Sequence, residues 1–223
     1  MANIHVIDFE GSRRSGVVEY GVATITGGRV VAAHTRLCAP TGSVTAAESA
    51  VHGISENDIA AAAPFAAEQA LFADLRQSGP FAAHHATIEQ SLLRRAWPVP
   101  PAAPDFAASA PAAAARVADW GPWLDTRRIY ENLYPAQSSY QLMDLIQAFV
   151  LSEELTNLAA EHCPAHRRRA HCALYDALAA ALLLLRLTRE PTLGAAPLTW
   201  LVTQSRTPAA DALSRQSKFS LDE

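Results

Sequence analysis

Asp8 and Glu10 lie two residues apart in the stretch Ile4-His5-Val6-Ile7-Asp8-Phe9-Glu10. Strand residues two apart point to one face, so the two carboxylates stand side by side where the strand stops. Adjacent carboxylates repel each other, and a divalent cation neutralises such a pair. Far along the chain, His171 and Asp176 open an apolar helix. They offer a third acid and a base whose unperturbed pKa is near neutral.

Two divalent ions about 4 Å apart can activate a water and stabilise a leaving oxygen in phosphodiester cleavage. Magnesium takes oxygen ligands and keeps several waters, so a few carboxylates suffice. In such a site Asp8 would bridge both ions, Glu10 and Asp176 would hold the ion nearer the attacking water, and His171 would take that water's proton. Five residues turn an ideal helix through about 140°. His171 and Asp176 would not share a face if both were helical. His171 is therefore expected on the preceding loop, with Asp176 in the first turn.

Residues 4–9 are apolar on both faces, which suits a central strand covered on both sides. Residues 17–25 and 30–37 read as two more strands, with Gly27-Gly28 as the hairpin between them. Ser55 is expected to cap a short helix, with Asp58 three residues on standing in imperfectly for the Glu of a capping box. Pro64 opens a helix running to about Arg76. Residues 81–83 form a short buried strand ending in His84-His85, and a helix covers 87–96. The Pro- and Ala-rich stretch 98–115 reads as a loop or insertion. Residues 123–126 are a short strand entering a helix, and Ser138 or Ser139 caps the next one. The last strong helix spans about Cys172 to Leu187. Hairpin strands followed by alternating strands and helices predict an α/β fold: a mixed sheet flanked by helices.

At 223 residues, half of them hydrophobic, the chain is long enough to bury one full core. No apolar run reaches the ~18 residues of a membrane span, and the N-terminus has no signal-peptide pattern. Three cysteines without CxxC spacing suit reduced thiols and a cytoplasmic setting. The net charge of −4 excludes a generally basic nucleic-acid coat. Any nucleic acid must be held by a local patch or through metal ions. Arg13, Arg14 and the run Arg167-Arg168-Arg169 are solvated loops or phosphate contacts. Trp120 and Trp123 read as core or loop anchors.

Asp8-Phe9-Glu10-Gly11, His84-His85-Ala86-Thr87-Ile88-Glu89 and His171-Cys172-Ala173-Leu174-Tyr175-Asp176-Ala177 resemble, in order and spacing, the three exonuclease motifs of the DnaQ-like superfamily, DEDDh subgroup. His52-Gly53-Ile54-Ser55 resembles a further family element between the first two. The resemblance covers roughly residues 3–188. It implies an RNase H-like fold, with three antiparallel N-terminal strands plus parallel strands, in a domain spanning 1–190. Residues 191–223 would then be an extension or tail. It also implies a metal-dependent 3′–5′ exonuclease that uses two Mg²⁺ or Mn²⁺ ions and acts on single-stranded DNA or RNA 3′ ends to release nucleoside 5′-monophosphates.

In that frame Asp8, Glu10, Glu89 and Asp176 are the metal ligands, and His171 is the general base. Gly11, Ser12, His52, Gly53, Ile54 and His85 contact substrate. Many members of the family dimerise, so a homodimer is compatible with it. The second motif departs from the family in two places: His85 stands where Asn is usual, and Glu89 where Asp is usual. Glutamate keeps the charge and adds about one C–C bond, ~1.5 Å. That departure motivates an alternative, a weakly active or inactive nucleic-acid or protein-binding module on the same fold. A third alternative is a zinc site built from Cys163, His166, His171 and Cys172, whose types suit zinc although their spacing matches no closed site.

Overall fold

The computed structural model describes residues 3–108, 115–194 and 196–206. Three strands open the chain: β1 (Ile4–Ser12), β2 (Gly16–Thr26) and β3 (Arg29–Leu37). They pair antiparallel, with Gly27 and Gly28 both at positive φ in the β2–β3 turn. Two short helices follow, α1 (Ala46–His52) and α2 (Glu56–Ile59). Each begins with a capping box, Thr45 with Glu48 and Ser55 with Asp58, which satisfies the free N–H groups of the first turn.

The segment opened by Pro64 begins as a 3₁₀ turn at Phe65–Glu68 and continues as α3 (Gln69–Ser78). Then come β4 (Phe81–Ala83) and α4 (Ala86–Ala96). The described part of the 98–115 stretch includes a short strand. Its residues Ala103–Pro104 form β5, which pairs antiparallel with β6 (Arg116–Val117). Arg76 pins the ribbon to α3 by donating to the Pro104 carbonyl at 2.9 Å. Residues 109–114 lie outside the described part.

β7 (Trp123–Asp125) leads directly into α5 (Thr126–Leu133), followed by α6 (Leu142–Ala148). α6 starts later than a Ser138 or Ser139 cap would place it, because Gln141 is its N-cap. Ser139 Oγ instead accepts the Gln141 N–H and donates to Asp144 one turn in. The helix α7 (Ser152–His162) has no counterpart in the sequence reading. It precedes α8 (Ala173–Arg189), the helix that starts at the third motif. The segment 191–223, read from sequence as an extension or tail, contributes α9 (Leu198–Gln204). The Ser205 hydroxyl just beyond α9 accepts the Asp125 N–H at 2.9 Å, tying it to β7. Residues beyond 206 lie outside the described part.

The main sheet has the order β3-β2-β1-β4-β7, with β4 parallel to β1 and β7 parallel to β4. Alternation along β1 sorts its side chains. Ile7 and Phe9 face an aromatic cluster containing Phe65, Phe72, Trp97 and Trp120. Val6 faces an aliphatic cluster dominated by α8, which is buried nearly all round between sheet, α6 and α7. Asp8 and Glu10 share the parity of Val6. They therefore emerge at the end of the strand on the side where α8 begins.

Candidate active site

Glu10 pairs directly across the strands with Glu19 of β2, and the ladder is irregular just after, between Glu10 and Gly11. Asp8 pairs with Gly21. A β-carbon at Gly21 would collide with the Ala173–Leu174 backbone, so the missing side chain is what admits the start of α8 onto the sheet. This close approach brings the third motif to the first.

α8 has no side-chain cap of its own. Its first-turn Ala173 N–H is taken instead by Glu19 Oε2 at 2.9 Å. Arg167, buried as Glu19 is, engages the same carboxylate with Nε and Nη2, the first at 3.0 Å, and its Nη1 donates to the His52 carbonyl at 2.7 Å. Like charges directly opposite on a sheet destabilise it. Arg167 offsets this for Glu19 and leaves Glu10 facing the cleft. Arg167 is therefore a buried structural cation and not a solvated loop residue.

His171 lies on the loop before α8, at φ 60°, with Asp176 in the first turn of the helix. Its backbone N–H donates to Asp176 Oδ2 at 2.9 Å, which fixes loop and carboxylate together. The exposed His171 ring and the buried Glu10 and Asp176 carboxylates bring ligand atoms within 4.8 Å of one another. From the other side, α4 turns Glu89 inward, where it is buried. The start of α4 is held by Asp125, whose carboxylate accepts the N–H groups of His85 (3.1 Å) and Ala86 (3.0 Å) and also caps α5 at Arg128 (3.2 Å).

Electrostatics show how closely these acids are set. Burial raises Asp8 well above the usual carboxylate range, and the charges of Glu89, Asp176 and Glu10 add to it. Burial, with Asp176 and Glu19, pushes Glu10 up to about 8. Burial raises Asp176 to about 7, against the pull of the His171 N–H. Glu89 is likewise raised by burial and by Glu10. Glu89 Oε2 and Asp176 Oδ1 are buried without a hydrogen-bond partner. Buried polar atoms are rarely left so. Mutually repelling acids with orphaned oxygens fit hard divalent cations, which take oxygen ligands.

The expected substrate-contact residues are placed unevenly. Gly11 and Ser12 line a recess of about 350 Å³ together with Arg13, Thr87, Ile88 and Ser91. The Ser12 hydroxyl is already engaged, accepting the N–H groups of Arg14 and Ser15. Within the His52-Gly53-Ile54 element, Ile54 is a core residue packed with Val18 and Ile59. His52 is buried, with Nδ1 accepting the Ile54 N–H. Of the three, Gly53 is exposed and His52 and Ile54 are buried. His85 is half-buried at positive φ, while its neighbour His84 is structural, bonded to Thr126 and the Tyr140 carbonyl.

The zinc alternative fails on geometry. Among the described residues the one group of three metal-ligating types in such proximity is Glu10, His171 and Asp176. Cys163 and Cys172 are buried free thiols, with Cys163 pushed up to about 11 by burial, and His166 is exposed. Trp120 is a core anchor, its indole N–H donating to the Trp97 carbonyl at 2.8 Å.

No family profile and no curated sequence matches this chain. Solved structures do match. The chain superposes on Exonuclease X, solved in complex with 5′ overhanging duplex DNA, with a TM-score of 0.61 and 22% identity over 91% of this chain and 99% of that one. For the nuclease domain of 3′hExo, a DEDDh family member bound to rAMP, the TM-score is 0.57 and the identity 13%, over 85% and 93%. For E. coli Exonuclease I in complex with a dT13 oligonucleotide they are 0.59 and 16%, over 87% of this chain and 43% of that one. The chain thus shares the RNase H-like, mixed-sheet fold of these exonucleases.

Proposed function

We propose that this chain is a metal-dependent 3′–5′ exonuclease of the DEDDh type, releasing nucleoside 5′-monophosphates from single-stranded DNA or RNA ends. The observation that carries this is the proximity of Glu10, His171 and Asp176 at one end of the sheet, with Asp8 and Glu89 near enough to share their charge and with orphaned buried oxygens on Glu89 and Asp176. The fold it shares with solved exonucleases supports the same reading. Residues 1–190 would form the exonuclease unit, with 191–223 as an extension. Three buried free thiols suit a reducing compartment such as the cytoplasm. None of the described helices is long and apolar enough to cross a membrane.

Asp8, Glu10, Asp176 and Glu89 would hold the ions. Bound divalent ions would supply Lewis acidity and neutralise charge on the phosphate. His171, exposed at the cleft and fixed through its N–H to Asp176, would take the proton of the attacking water on a ring nitrogen. Gly11 and Ser12, which line the recess beside Arg13, would lie against the terminal nucleotide.

The test is a 5′-labelled oligonucleotide, DNA and RNA in parallel, with Mg²⁺ or Mn²⁺ and with Asp8→Ala as control. The expected result is a ladder shortening from the 3′ end that the control lacks. Equal activity in the control would overturn the assignment. Absence of products with the unaltered protein would favour the binding-module alternative raised by Glu89.

A further inference from the structure

The geometry points to Arg169 as the residue that holds a backbone phosphate of the incoming strand at the rim of the acid cluster. This inference rests on the exonuclease reading and adds a binding residue to it. The three consecutive arginines before the third motif are sorted by the fold into three different roles. Arg167 is buried and neutralised by Glu19. Arg168 turns back onto α7, where it donates to the Ala160 and Cys163 carbonyls at 2.9 and 3.1 Å. Arg169 is exposed and makes one long hydrogen bond, from Nη2 to the His52 carbonyl at 3.3 Å. Among the described residues it has no carboxylate within ion-pairing distance.

The position of this guanidinium is built into the chain. A β-carbon on Gly53 would overlap Arg169 Nη2, so the glycine that ends α1 at φ 70° also makes the seat for the side chain. The His52 carbonyl anchors two arginines at once, Arg167 from inside and Arg169 from outside. Arg169 is two residues from His171, and its charge is felt at Glu10. A cluster of carboxylates repels a polyanion, so a strand entering it gains from a cation at the rim. Guanidinium donors match phosphate oxygens in pairs. Arg169 retains free N–H groups for such a contact.

The experiment measures binding apart from cleavage. A fluorescent oligothymidylate is titrated with the unaltered protein, Arg169→Ala, Arg169→Lys and Arg168→Ala in Ca²⁺ across a salt series, with probe integrity checked on a gel. Each phosphate contact on a single strand contributes a slope of about −0.7 to log K against log salt. Arg169→Ala is expected to weaken binding roughly tenfold and make the slope shallower by about 0.7. Arg169→Lys should keep the slope, and Arg168→Ala should match the unaltered protein. An unchanged slope in Arg169→Ala, or an equal loss in Arg168→Ala, would overturn the phosphate contact while leaving the exonuclease reading intact. No binding by the unaltered protein to this probe or to an oligouridylate would overturn both.

Discussion

On the α8 side of the acid cluster, buried charge holds everything in place. Glu19 and Arg167 join β2 to the loop before α8, Glu19 caps the helix through Ala173, and Asp176 takes the His171 N–H. On the α4 side the fixing is done by one carboxylate, Asp125, gripping the backbone at His85 and Ala86. Glu89 itself has an oxygen without a partner. The first side is fixed by several buried contacts, which suits the general-base role proposed for His171. The second side is held through its backbone, with Glu89 buried behind it and one of its oxygens unpartnered. In the proposed site a glutamate would serve there because its longer arm ends in a cluster that a cation would complete.

The largest contrast should appear in catalysis. His171→Ala is expected to lower kcat by about 10²–10⁴-fold with the fold intact, as loss of a general base does. Glu89→Ala should cost less than this in a steady-state assay with saturating Mn²⁺. The reverse ranking would show that the chemistry depends on the α4 side.

Stability separates the two sides next. Glu19→Gln leaves Arg167 buried beside a neutral partner and is expected to cost about 3–5 kcal/mol in denaturant unfolding. The double variant with Arg167→Gln should cost less than the sum of the two single changes, because the pair couples. Simple additivity would mean that the pair does not hold the α8 side. Asp125→Ala removes acceptors for three backbone N–H groups and should cost about 1–2 kcal/mol, with activity falling as the start of α4 loosens.

The acid cluster should also impose a pH dependence. Folding raises Glu10 to about 8 and Asp176 to about 7, above their ordinary values of 4.5 and 3.8. Raised carboxylates favour the folded state at low pH, and that advantage is lost as pH rises through the folded values. The metal-free protein should therefore lose stability between about pH 5 and pH 8. Added Mn²⁺ should raise Tm more at pH 8 than at pH 5, since the cation replaces the protons. A Mn²⁺ effect independent of pH would argue against metal at these carboxylates.

Much of this arrangement is legible in the sequence because it is local. The alternation from Ile4 to Glu10, the Gly27-Gly28 turn and the five-residue offset of His171 from Asp176 carry their geometry in their spacing. The supports of the site are not local. Glu19 meets Arg167 across 148 residues, and Asp125 meets His85 across 40. No period or motif marks either pairing. A lone Glu between valine and tyrosine looks like a solvated strand position until α8 covers it. α7 is different: Leu151, Leu155 and Ala159 are four apart and all buried, so its period is present in the sequence. The reading of 191–223 as an extension did not mark α9, whose start at Pro197 carries no side-chain cap.

The most direct measurement is Mn²⁺ binding, followed by electron paramagnetic resonance, in the unaltered protein and in Asp8→Ala. Asp8 lies where the charges of Glu89, Asp176 and Glu10 meet. Saturable Mn²⁺ binding that Asp8→Ala loses is the predicted result. Equal binding by the two proteins, or none by either, would contradict a metal centre built from these four acids.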